Sequence, residues 1–302
     1  MKILLLGKNG QVGWELQRAL QPLGELIALD RQMNPEGLCG DVTNYTEISK
    51  VFKQVCPDVV VNASAYTAVD KAESETEQAH LINCLAVKHL AEECKKQGAL
   101  LIHYSTDYVF DGTGVLAWKE DDQTAPVNLY GQTKRDGELA LGQSGAAFIN
   151  FRTCWVYSTR GQNFIKTMLK LGQMKEELNI IHDQVGAPTG AALIADVTAQ
   201  AIRYYVLQSS EMKESLHGHY HLAAAGETTW FEYAQFIFAQ ARNKGQTLTL
   251  KQINPIDTKA YPTPAQRPLN SRLNTDKLKQ NFKLHLPNWK QGVEHVLEEI
   301  LP

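Results

Sequence analysis

Short apolar runs alternate with amphipathic segments along the first half of the chain. Four of these runs have the length of strands buried in a parallel sheet: residues 2–6, 26–29, 59–62 and 100–105. Residues 75–97 repeat apolar positions at helical spacing, and a shorter capped helix is expected to start at residues 40–43 and to run through residue 51. Strands that alternate with helices predict an α/β fold, a doubly wound parallel sheet of the Rossmann type.

The second half of the chain, after about residue 152, is less regular and richer in proline. Its periodicity predicts a strand at residues 218–223 that returns to the sheet, and helices at residues 163–173, 193–207, 230–244 and 290–300. We therefore predict two domains. A dinucleotide-binding domain spans residues 1–155 and regains residues 190–224, and a smaller, mixed α/β substrate domain comprises residues 156–189 and 225–302.

A glycine-rich turn follows the first apolar run at once, with Gly7, Gly10 and Gly13 at a spacing of three. In a dinucleotide-binding fold, Gly7 permits the tight turn, Gly10 lets the backbone approach a pyrophosphate at a helix N-terminus, and Gly13 lets helix and strand pack closely. Asp30 ends the next strand, where such folds place the acid that binds the adenosine ribose. The alternative is a glycine-rich loop without a ligand, in which Asp30 caps a turn.

Tyr130 and Lys134 lie four residues apart, so a helix would present their phenol and ammonium to the same small volume. A free tyrosine has a pKa of about 10, and a positive charge beside it lowers that pKa toward the range useful for proton transfer. Thr106 follows the strand at residues 100–105 and is placed to bond a substrate oxygen. The alternatives are an exposed helix turn with a solvated lysine, and a threonine that satisfies the strand end.

Arginine side chains add further candidates for binding phosphate groups. Arg267 and Arg272 lie in a proline-rich loop, and their planar guanidinium groups suit a nucleotide diphosphate, unless both are ordinary surface residues. Arg31 offers a guanidinium to the extra phosphate of NADPH, whereas the adjacent Asp30 favours the free ribose hydroxyl of NADH. We therefore predict that both NADPH and NADH serve as cofactors.

Composition narrows the class of protein. The 302 residues carry a net charge of -3 and no basic run, which argues against a nucleic-acid partner. The first apolar run is too short for a signal peptide or a membrane span, and the five cysteines are scattered without a C-x-x-C pair. We expect a cytoplasmic protein with reduced thiols and no membrane partner.

A histidine cluster near the end of the second half is a weaker metal candidate. His217, His219 and His221 would share one face of a strand, as zinc ligands can. Because no cysteine or carboxylate cluster lies nearby in the sequence, a polar strand start is the preferred interpretation, and we predict no metal site here.

Six stretches of the sequence carry a resemblance to one family: GKNGQVGWELQ from Gly7, TAVDKAE from Thr67, HYSTDYVFDGTG from His103, FRTCWVY from Phe151, DQVGAPTGA from Asp183 and YPTPAQRPLNSRLNT from Tyr261. On these motifs the chain resembles the dTDP-4-dehydrorhamnose reductase family of the extended short-chain dehydrogenase/reductase superfamily. The similarity runs from the first strand to Trp289 and therefore covers both halves of the chain.

The resemblance implies that a reduced nicotinamide reduces the 4-keto group of dTDP-4-dehydro-6-deoxy-L-mannose, in the synthesis of dTDP-L-rhamnose for cell-surface polysaccharide. Tyr130 would be the proton donor, Lys134 would lower its pKa and hold the nicotinamide ribose, and Thr106 would bond the reacting carbonyl oxygen. Asp107 and Trp155 would line the sugar site. The further residues implied to contact the cofactor, beside Gly10 and Asp30, are Gln11, Val12, Asp41, Val42, Ala63 and Ser64.

Two positions depart from the family pattern. Ser64 stands where alanine is usual, and Ala192 stands where the family often has glutamate. Family members are associated with magnesium, and the missing carboxylate argues against a Mg²⁺ site of the family's geometry. The partners that we expect are the dTDP-sugar and a second copy of the chain in a homodimer.

Two other functions remain open on the same fold. Nucleotide-sugar dehydratases or epimerases are one, and the dehydratases carry aspartate and then glutamate after the threonine, whereas here Asp107 is followed by Tyr108. A non-catalytic regulatory subunit, like that of methionine adenosyltransferase, also resembles these reductases. The joint presence of Thr106, Tyr130 and Lys134 favours an enzyme.

Overall fold

The computed structural model describes residues 1–301. The strands are β1 Lys2–Leu6, β2 Glu25–Leu29, β3 Val59–Asn62, β4 Leu100–Thr106, β5 Phe148–Thr153, β6 Val156–Tyr157, β7 Glu177–Ile181, β8 Val185–Gly186, β9 Thr189–Gly190, β10 Gly218–His221, β11 Thr228–Thr229 and β12 Gln252–Ile256. The helices are α1 Gln11–Leu20, α2 Tyr45–Val55, α3 Val69–Ala72, α4 Thr76–His80, α5 Ala86–Gln97, α6 Leu129–Ser144, α7 Phe164–Met174, α8 Ala191–Val206, α9 Ser210–Ser215, α10 Trp230–Asn243, α11 Asp276–Phe282 and α12 Trp289–Ile300. Within residues 1–301, no helix is both long and apolar enough to cross a membrane.

The main sheet is parallel and has the strand order β10-β5-β4-β3-β1-β2. This order confirms the predicted α/β class, because the chain passes from β1 to β2 on one side and then crosses to β3 on the other. Helices α1 and α8 cover one face of the sheet, and α2, α5 and α6 cover the other. The carboxyl ends of β1 and β3 therefore border the crevice at which ligands bind in open α/β sheets.

The strand predictions hold closely in the main sheet. Residues 2–6 and 59–62 are confirmed as β1 and β3, and β2 and β4 each gain one residue. These strands could be predicted because helices cover both faces of the sheet, which makes the strands apolar throughout. All four side chains from Ile3 to Leu6, for example, are fully buried. The returning strand also joins the sheet, although β10 ends at His221 rather than at residue 223.

The predicted start of the helix after β2 was wrong. Asp41 does not cap a helix; its carboxylate accepts from the backbone N–H of Thr43 at 3.0 Å in a local turn. The N-cap is Asn44, whose side-chain oxygen accepts from the N–H of Glu47 at 3.2 Å. Helix α2 therefore begins later than predicted and runs beyond residue 51.

The second half of the chain packs around its own apolar cluster, in which Tyr157, Ile165, Tyr233 and Val293 are buried. The predicted helices of this half, α7, α8, α10 and α12, are confirmed to within two residues at each end. Strands β7 and β12 pair in parallel outside the main sheet, which the sequence pattern did not predict. The division into two domains at the boundaries given above stays a prediction.

The long helical pattern at residues 75–97 contains a π turn, Leu81–Leu85, between α4 and α5. Within this turn the Asn83 side chain donates to the Tyr66 carbonyl and to the Thr133 hydroxyl, both at 3.1 Å, and accepts from the Tyr66 N–H at 2.9 Å. A Cβ on Gly137 would lie 2.2 Å from the Asn83 carbonyl oxygen. The glycine therefore lets α6 approach the π turn closely.

A buried ion pair joins α6 to the sheet. Arg152 on β5 donates from Nε and Nη2 to the two carboxylate oxygens of Glu138, at 2.9 and 2.7 Å. Both side chains are 4% exposed. Such a two-point contact satisfies both charged groups, and its removal from one side leaves the other charge buried and unpaired.

We expect Glu138→Gln to lower the free energy of unfolding by about 3 kcal/mol, because it leaves the Arg152 guanidinium without its counter-charge. Urea unfolding followed by circular dichroism measures this change. The matched control is Asp196→Asn, which removes the exposed partner of Arg18 and should cost less than about 1 kcal/mol. Equal losses in the two variants would contradict a special role for the buried pair.

Candidate active site

The glycine turn after β1 is shaped by contacts that leave no room for side chains. Gly7 has a φ of +82°, and a Cβ on it would lie 2.8 Å from the backbone nitrogen and from the hydroxyl oxygen of Ser64. A Cβ on Gly13 would lie 2.0 Å from the Gly7 carbonyl oxygen, so α1 packs directly on the turn. Gly10 precedes α1 without a side-chain cap, which leaves first-turn N–H groups for an anion. These features fit a dinucleotide pyrophosphate.

A cavity of about 710 Å³ opens at the carboxyl ends of β1, β2 and β3. Eight residues predicted to contact the cofactor line it: Gly7, Gly10, Asp30, Arg31, Asp41, Val42, Ala63 and Ser64. The carboxylate of Asp30 accepts from the Asn9 side chain and from the N–H of Gln32, and the Lys8 ammonium lies 3.9 Å from it. Asp30 therefore presents to this cavity a carboxylate that is surrounded by several donors.

A second cavity, of about 520 Å³, adjoins the first and shares Gly10, Ala63, Ala65 and Thr67 with it. The predicted site residues that line it are Gln11, Val12, Thr106, Asp107, Tyr130, Lys134 and Trp155. The structure thus brings the predicted catalytic residues together beside the glycine turn. Gly13 lines neither cavity, in keeping with its packing role.

Tyr130 lies in the first turn of α6, which Asn128 begins by accepting from the Gly131 N–H at 2.8 Å. A Cβ on Gly131 would lie 2.1 Å from the Tyr108 carbonyl oxygen, so this turn sits directly against the residues after β4. Burial raises the pKa of Tyr130 to about 12, and the Thr106 hydroxyl opposes the shift. The phenol is therefore protonated near neutral pH, and the lowering of its pKa by Lys134 stays a prediction.

Lys134 is 2% exposed and its ammonium is held by β4. Its Nζ donates to the Tyr104 carbonyl oxygen at 2.6 Å and lies 3.3 Å from Nε2 of His103. Burial lowers the pKa of Lys134 to about 8, and the negative charge of Glu138 opposes the shift. The ammonium is thus a fixed charge at the wall of the second cavity.

Asp107 and Trp155 form another part of the wall of this cavity. Asp107 is 2% exposed and accepts from the Thr106 hydroxyl at 3.0 Å. Burial raises the pKa of Asp107 to about 6, with hydrogen bonds from Ser271 and Thr106 opposing the shift. Trp155 has a φ of +48°, which is rare for a residue with a side chain, and its indole stacks on that of Trp230 at 3.7 Å.

The two arginines of the proline-rich loop are each paired with a carboxylate. Arg267 donates to Asp70 at 2.8 Å, and Arg272 donates to Glu227 at 2.7 Å. Neither lines the two cavities described above. The Nη1 of Arg267 is buried and has no hydrogen-bond partner within residues 1–301.

Sequence reasoning missed Tyr108, Gln162 and Trp230 in the wall of the second cavity. Tyr108 packs edge-on against Tyr130, with ring centroids 5.6 Å apart. Its place two residues after Thr106 was a usable signal. Trp230 and Gln162 come from elements that meet the site only through tertiary folding, and no local pattern marks them.

The three histidines of the second half do not form a metal site. His217 lies before β10 and contacts the Tyr205 hydroxyl at 2.9 Å, whereas His219 contacts the Asn150 side chain at 2.9 Å. His221 contacts the Trp118 carbonyl oxygen at 3.0 Å. Within residues 1–301, no group of three histidine, cysteine, aspartate or glutamate residues is arranged to hold a metal ion.

Magnesium does not fit the donors around Ala192. This residue lines a cavity of about 460 Å³ with Glu15 and Asp196, and its methyl group offers no oxygen. Both neighbouring carboxylates face Arg18, at 3.6 Å from Glu15 and 2.9 Å from Asp196. A guanidinium already balances these charges, and the donors present do not suit Mg²⁺.

Known proteins are similar to this chain over nearly its whole length. A family model described as RmlD substrate binding domain matches residues 1–301. A dTDP-4-dehydrorhamnose reductase of Escherichia coli strain K12 is 53% identical over 300 residues, which cover 99% of this chain and 98% of that protein. A crystal structure of dTDP-4-dehydrorhamnose reductase from Bacillus anthracis in complex with NADP has a TM-score of 0.87 and 31% identity, with 99% of each chain covered. An orthologue from Clostridium acetobutylicum has a TM-score of 0.88 and 33% identity, again with 99% coverage of each chain.

Burial of His221 makes the stability of the protein depend on pH. Burial lowers the pKa of His221 to about 3, below the 6.5 of a free side chain. Below pH 6.5 the unfolded chain therefore binds a proton that the folded chain rejects, so acidification favours unfolding. Between about pH 7 and about pH 5, wild type should lose about 2 kcal/mol more than His221→Asn, which keeps a donor for Trp118 but cannot be protonated.

Urea unfolding at the two pH values measures this difference. Asp107 shifts in the opposite direction, and His103 and His219 shift in the same direction as His221, so only the difference between wild type and variant isolates one group. Parallel losses in both proteins would refute the assignment to His221.

Proposed function

Because the chain belongs to the dTDP-4-dehydrorhamnose reductase family, we propose that it reduces the 4-keto group of dTDP-4-dehydro-6-deoxy-L-mannose to form dTDP-L-rhamnose. It is an NAD(P)H-dependent oxidoreductase of dTDP-rhamnose biosynthesis. The observation that carries this proposal is the continuity of the two cavities. The glycine turn and the Tyr130 site share four lining residues, so a cofactor on the turn reaches the reacting centre.

The reduced nicotinamide supplies the hydride that reaches the keto carbon. Tyr130 donates a proton to the carbonyl oxygen as negative charge develops on it, and the high pKa of this phenol keeps the proton in place beforehand. When the substrate binds, the Thr106 hydroxyl at the end of β4 turns its single O–H from Asp107 to the same oxygen and holds it by a hydrogen bond. These roles combine proton transfer with positioning of the reactants.

Lys134 contributes a fixed positive charge. Its ammonium uses one of three N–H donors on the Tyr104 carbonyl oxygen and another on His103, which leaves a third for the nicotinamide ribose. Because the group is buried, its charge is poorly screened and stabilises a developing oxyanion more than a solvated lysine would. Lys134 thereby lowers the cost of removing the proton from Tyr130.

The substrate side of the cavity is assigned from an unpaired polar atom and from an aromatic wall. Asp107 has a buried carboxylate oxygen, Oδ2, without a hydrogen-bond partner in residues 1–301, and we assign it to a sugar hydroxyl. The indole of Trp155 forms an apolar wall for the sugar ring. Arg267 and Arg272 lie outside the two cavities, and we assign them to the diphosphate because their guanidinium groups suit it.

The rival functions lack supporting residues. A dehydratase needs an acid and a base directly after the threonine, and Tyr108 occupies the second of those positions with a pKa far above neutrality because of burial. A non-catalytic regulatory subunit has no need for a buried ammonium beside a protonated phenol. The presence of Thr106, Tyr130 and Lys134 in the wall of one cavity supports a reductase.

The same proposal includes the domain organisation, the cellular location and the oligomeric state. Residues 1–155 with 190–224 bind the cofactor, and residues 156–189 with 225–302 bind the sugar, in support of which the second half has an apolar cluster of its own. We further propose that the enzyme acts in the cytoplasm as a homodimer. Analytical ultracentrifugation tests the homodimer.

Tyr130→Phe should lower kcat by ~10²–10⁴-fold, because it removes the proton donor and leaves the ring in place. The dissociation constant for NADPH should change little. The measurement is the oxidation of NADPH at saturating keto-sugar, with a single-turnover experiment to establish that chemistry limits the rate.

The control is Tyr205→Phe, which removes a phenol oxygen that contacts His217 on the far side of the sheet. It should keep nearly full activity. If Tyr130→Phe retains more than about half of the wild-type turnover, with chemistry limiting, Tyr130 is not the proton donor.

Cofactor choice is set by opposing residues. Asp30 repels the extra phosphate of NADPH and Arg31 attracts it, and exposed pairwise terms of about 1 kcal/mol leave less than about a tenfold preference in wild type. Asp30→Ala should shift the ratio of kcat/KM values toward NADPH, and Arg31→Ala should shift it toward NADH.

Arg203→Ala on α8 is the control for a general loss of positive charge and should leave this ratio unchanged. Steady-state kinetics with both cofactors gives the ratio for each protein. A wild-type preference above about a hundredfold, or a shift in the same direction for both variants, would overturn this account of the adenosine site.

A further inference from the structure

A row of polar side chains crosses the core of the main sheet beneath the active site. Asn62 on β3, His103 on β4, Asn150 on β5 and His219 on β10 are register partners on adjacent strands. Register partners point to the same face, which here is the face covered by α6. Asn62, His103 and Asn150 are at most 1% exposed. Burying polar groups costs free energy that an apolar core would not lose. A function for this row would explain why the cost is tolerated.

Of the four residues in this row, only His103 contacts Lys134. The ammonium lies 3.3 Å from Nε2 of His103 and 2.6 Å from the Tyr104 carbonyl oxygen, so two successive residues of β4 fix its direction. Thr106 is the last residue of the same strand. Strand β4 therefore orients both the hydroxyl that meets the carbonyl and the charge beside it.

The protonation of His103 follows from its contact with Lys134. An ammonium can only donate, so Nε2 must be the nitrogen that accepts and Nδ1 the nitrogen that carries the proton. In this tautomer the ring N–H donates to the Asn62 backbone carbonyl oxygen, and the Asn62 side-chain Nδ2, itself a donor 3.2 Å from Nδ1, makes no hydrogen bond to the ring. Burial and the charge of Lys134 hold the pKa of His103 well below its usual value, which keeps the ring neutral.

We propose that His103 is a positioning residue for the reductase, whose Nε2 fixes the Lys134 ammonium toward Tyr130 and the nicotinamide ribose. The inference rests on the proposed function, because it assigns the purpose of a residue that touches neither substrate nor cofactor. Without this acceptor, Lys134 keeps its contact with Tyr104 but loses a second fixed direction. The ammonium is then less often in the position that stabilises the negative charge of the transition state.

The test compares variants that differ in one acceptor atom. His103→Gln places an amide oxygen near the position of Nε2, whereas His103→Met fills a similar volume without it. We expect His103→Gln to keep kcat within about threefold of wild type and His103→Met to lower kcat by about 10–100-fold, as the loss of a hydrogen bond to a charged group does. The KM for the keto-sugar should stay within about threefold in both, since His103 does not touch it.

Two controls separate positioning from folding. His219→Met changes a member of the same row that does not contact Lys134, and it should leave kcat unchanged. His103→Asn retains an amide but is too short to reach Lys134, so it should also lower kcat by about 10–100-fold, and it replaces His103→Met if the methionine variant fails to fold. Thermal melting establishes which variants are folded.

A double variant gives the decisive comparison. In a Lys134→Met background, His103→Met should cause no further loss, because the two residues act as one unit. An additive loss, or equal losses for His103→Gln and His103→Asn, would overturn the proposal. If wild type does not reduce the keto-sugar at all, the proposed function fails instead, so the two failures are distinguishable.

Discussion

The buried charge of Lys134 is the constraint on which the polar contacts between α6 and the main sheet depend. An ammonium that is almost excluded from water has to be satisfied by fixed acceptors, or it would lose its proton or unfold its surroundings. Strand β4 supplies those acceptors, and Glu138 one turn along α6 supplies a nearby negative charge. Arg152 then has to balance Glu138. One buried charge is thus linked to the ion pair that joins α6 to the sheet.

Local patterns were sufficient to predict the parts of the fold that are set by local physics. β1 and β3 were predictable because strands covered on both faces are apolar throughout, and the glycine turn because its close contacts exclude any side chain. The start of α2 was not, because Asp41 and Asn44 are both good capping residues and only the folded backbone selects one. The pairing of β7 with β12 depends on residues far apart in sequence, which periodicity does not encode.

Local patterns likewise predicted some residues of the site and missed others. Tyr130 and Lys134 were predictable because helical spacing alone brings them together, and Thr106 because strand ends in such sheets meet the ligand. The ion pairs of the proline-rich loop were not predictable, since Arg267 and its partner Asp70 are 197 residues apart. His103 carried no pattern that separates it from an ordinary core residue, and its importance appears only when Lys134 is seen against it.

The parallel pairing of β7 with β12 has a consequence for how the chain is made. Strands β1 to β5 are complete once residue 153 has been synthesised, so most of the main sheet can assemble early. β7 must then wait until residue 256 has emerged before it finds its partner. Contacts between distant segments form slowly. During synthesis on the ribosome, the second half of the chain is therefore the last part of the molecule to fold, and it is the part most exposed to chaperones and proteases in the meantime.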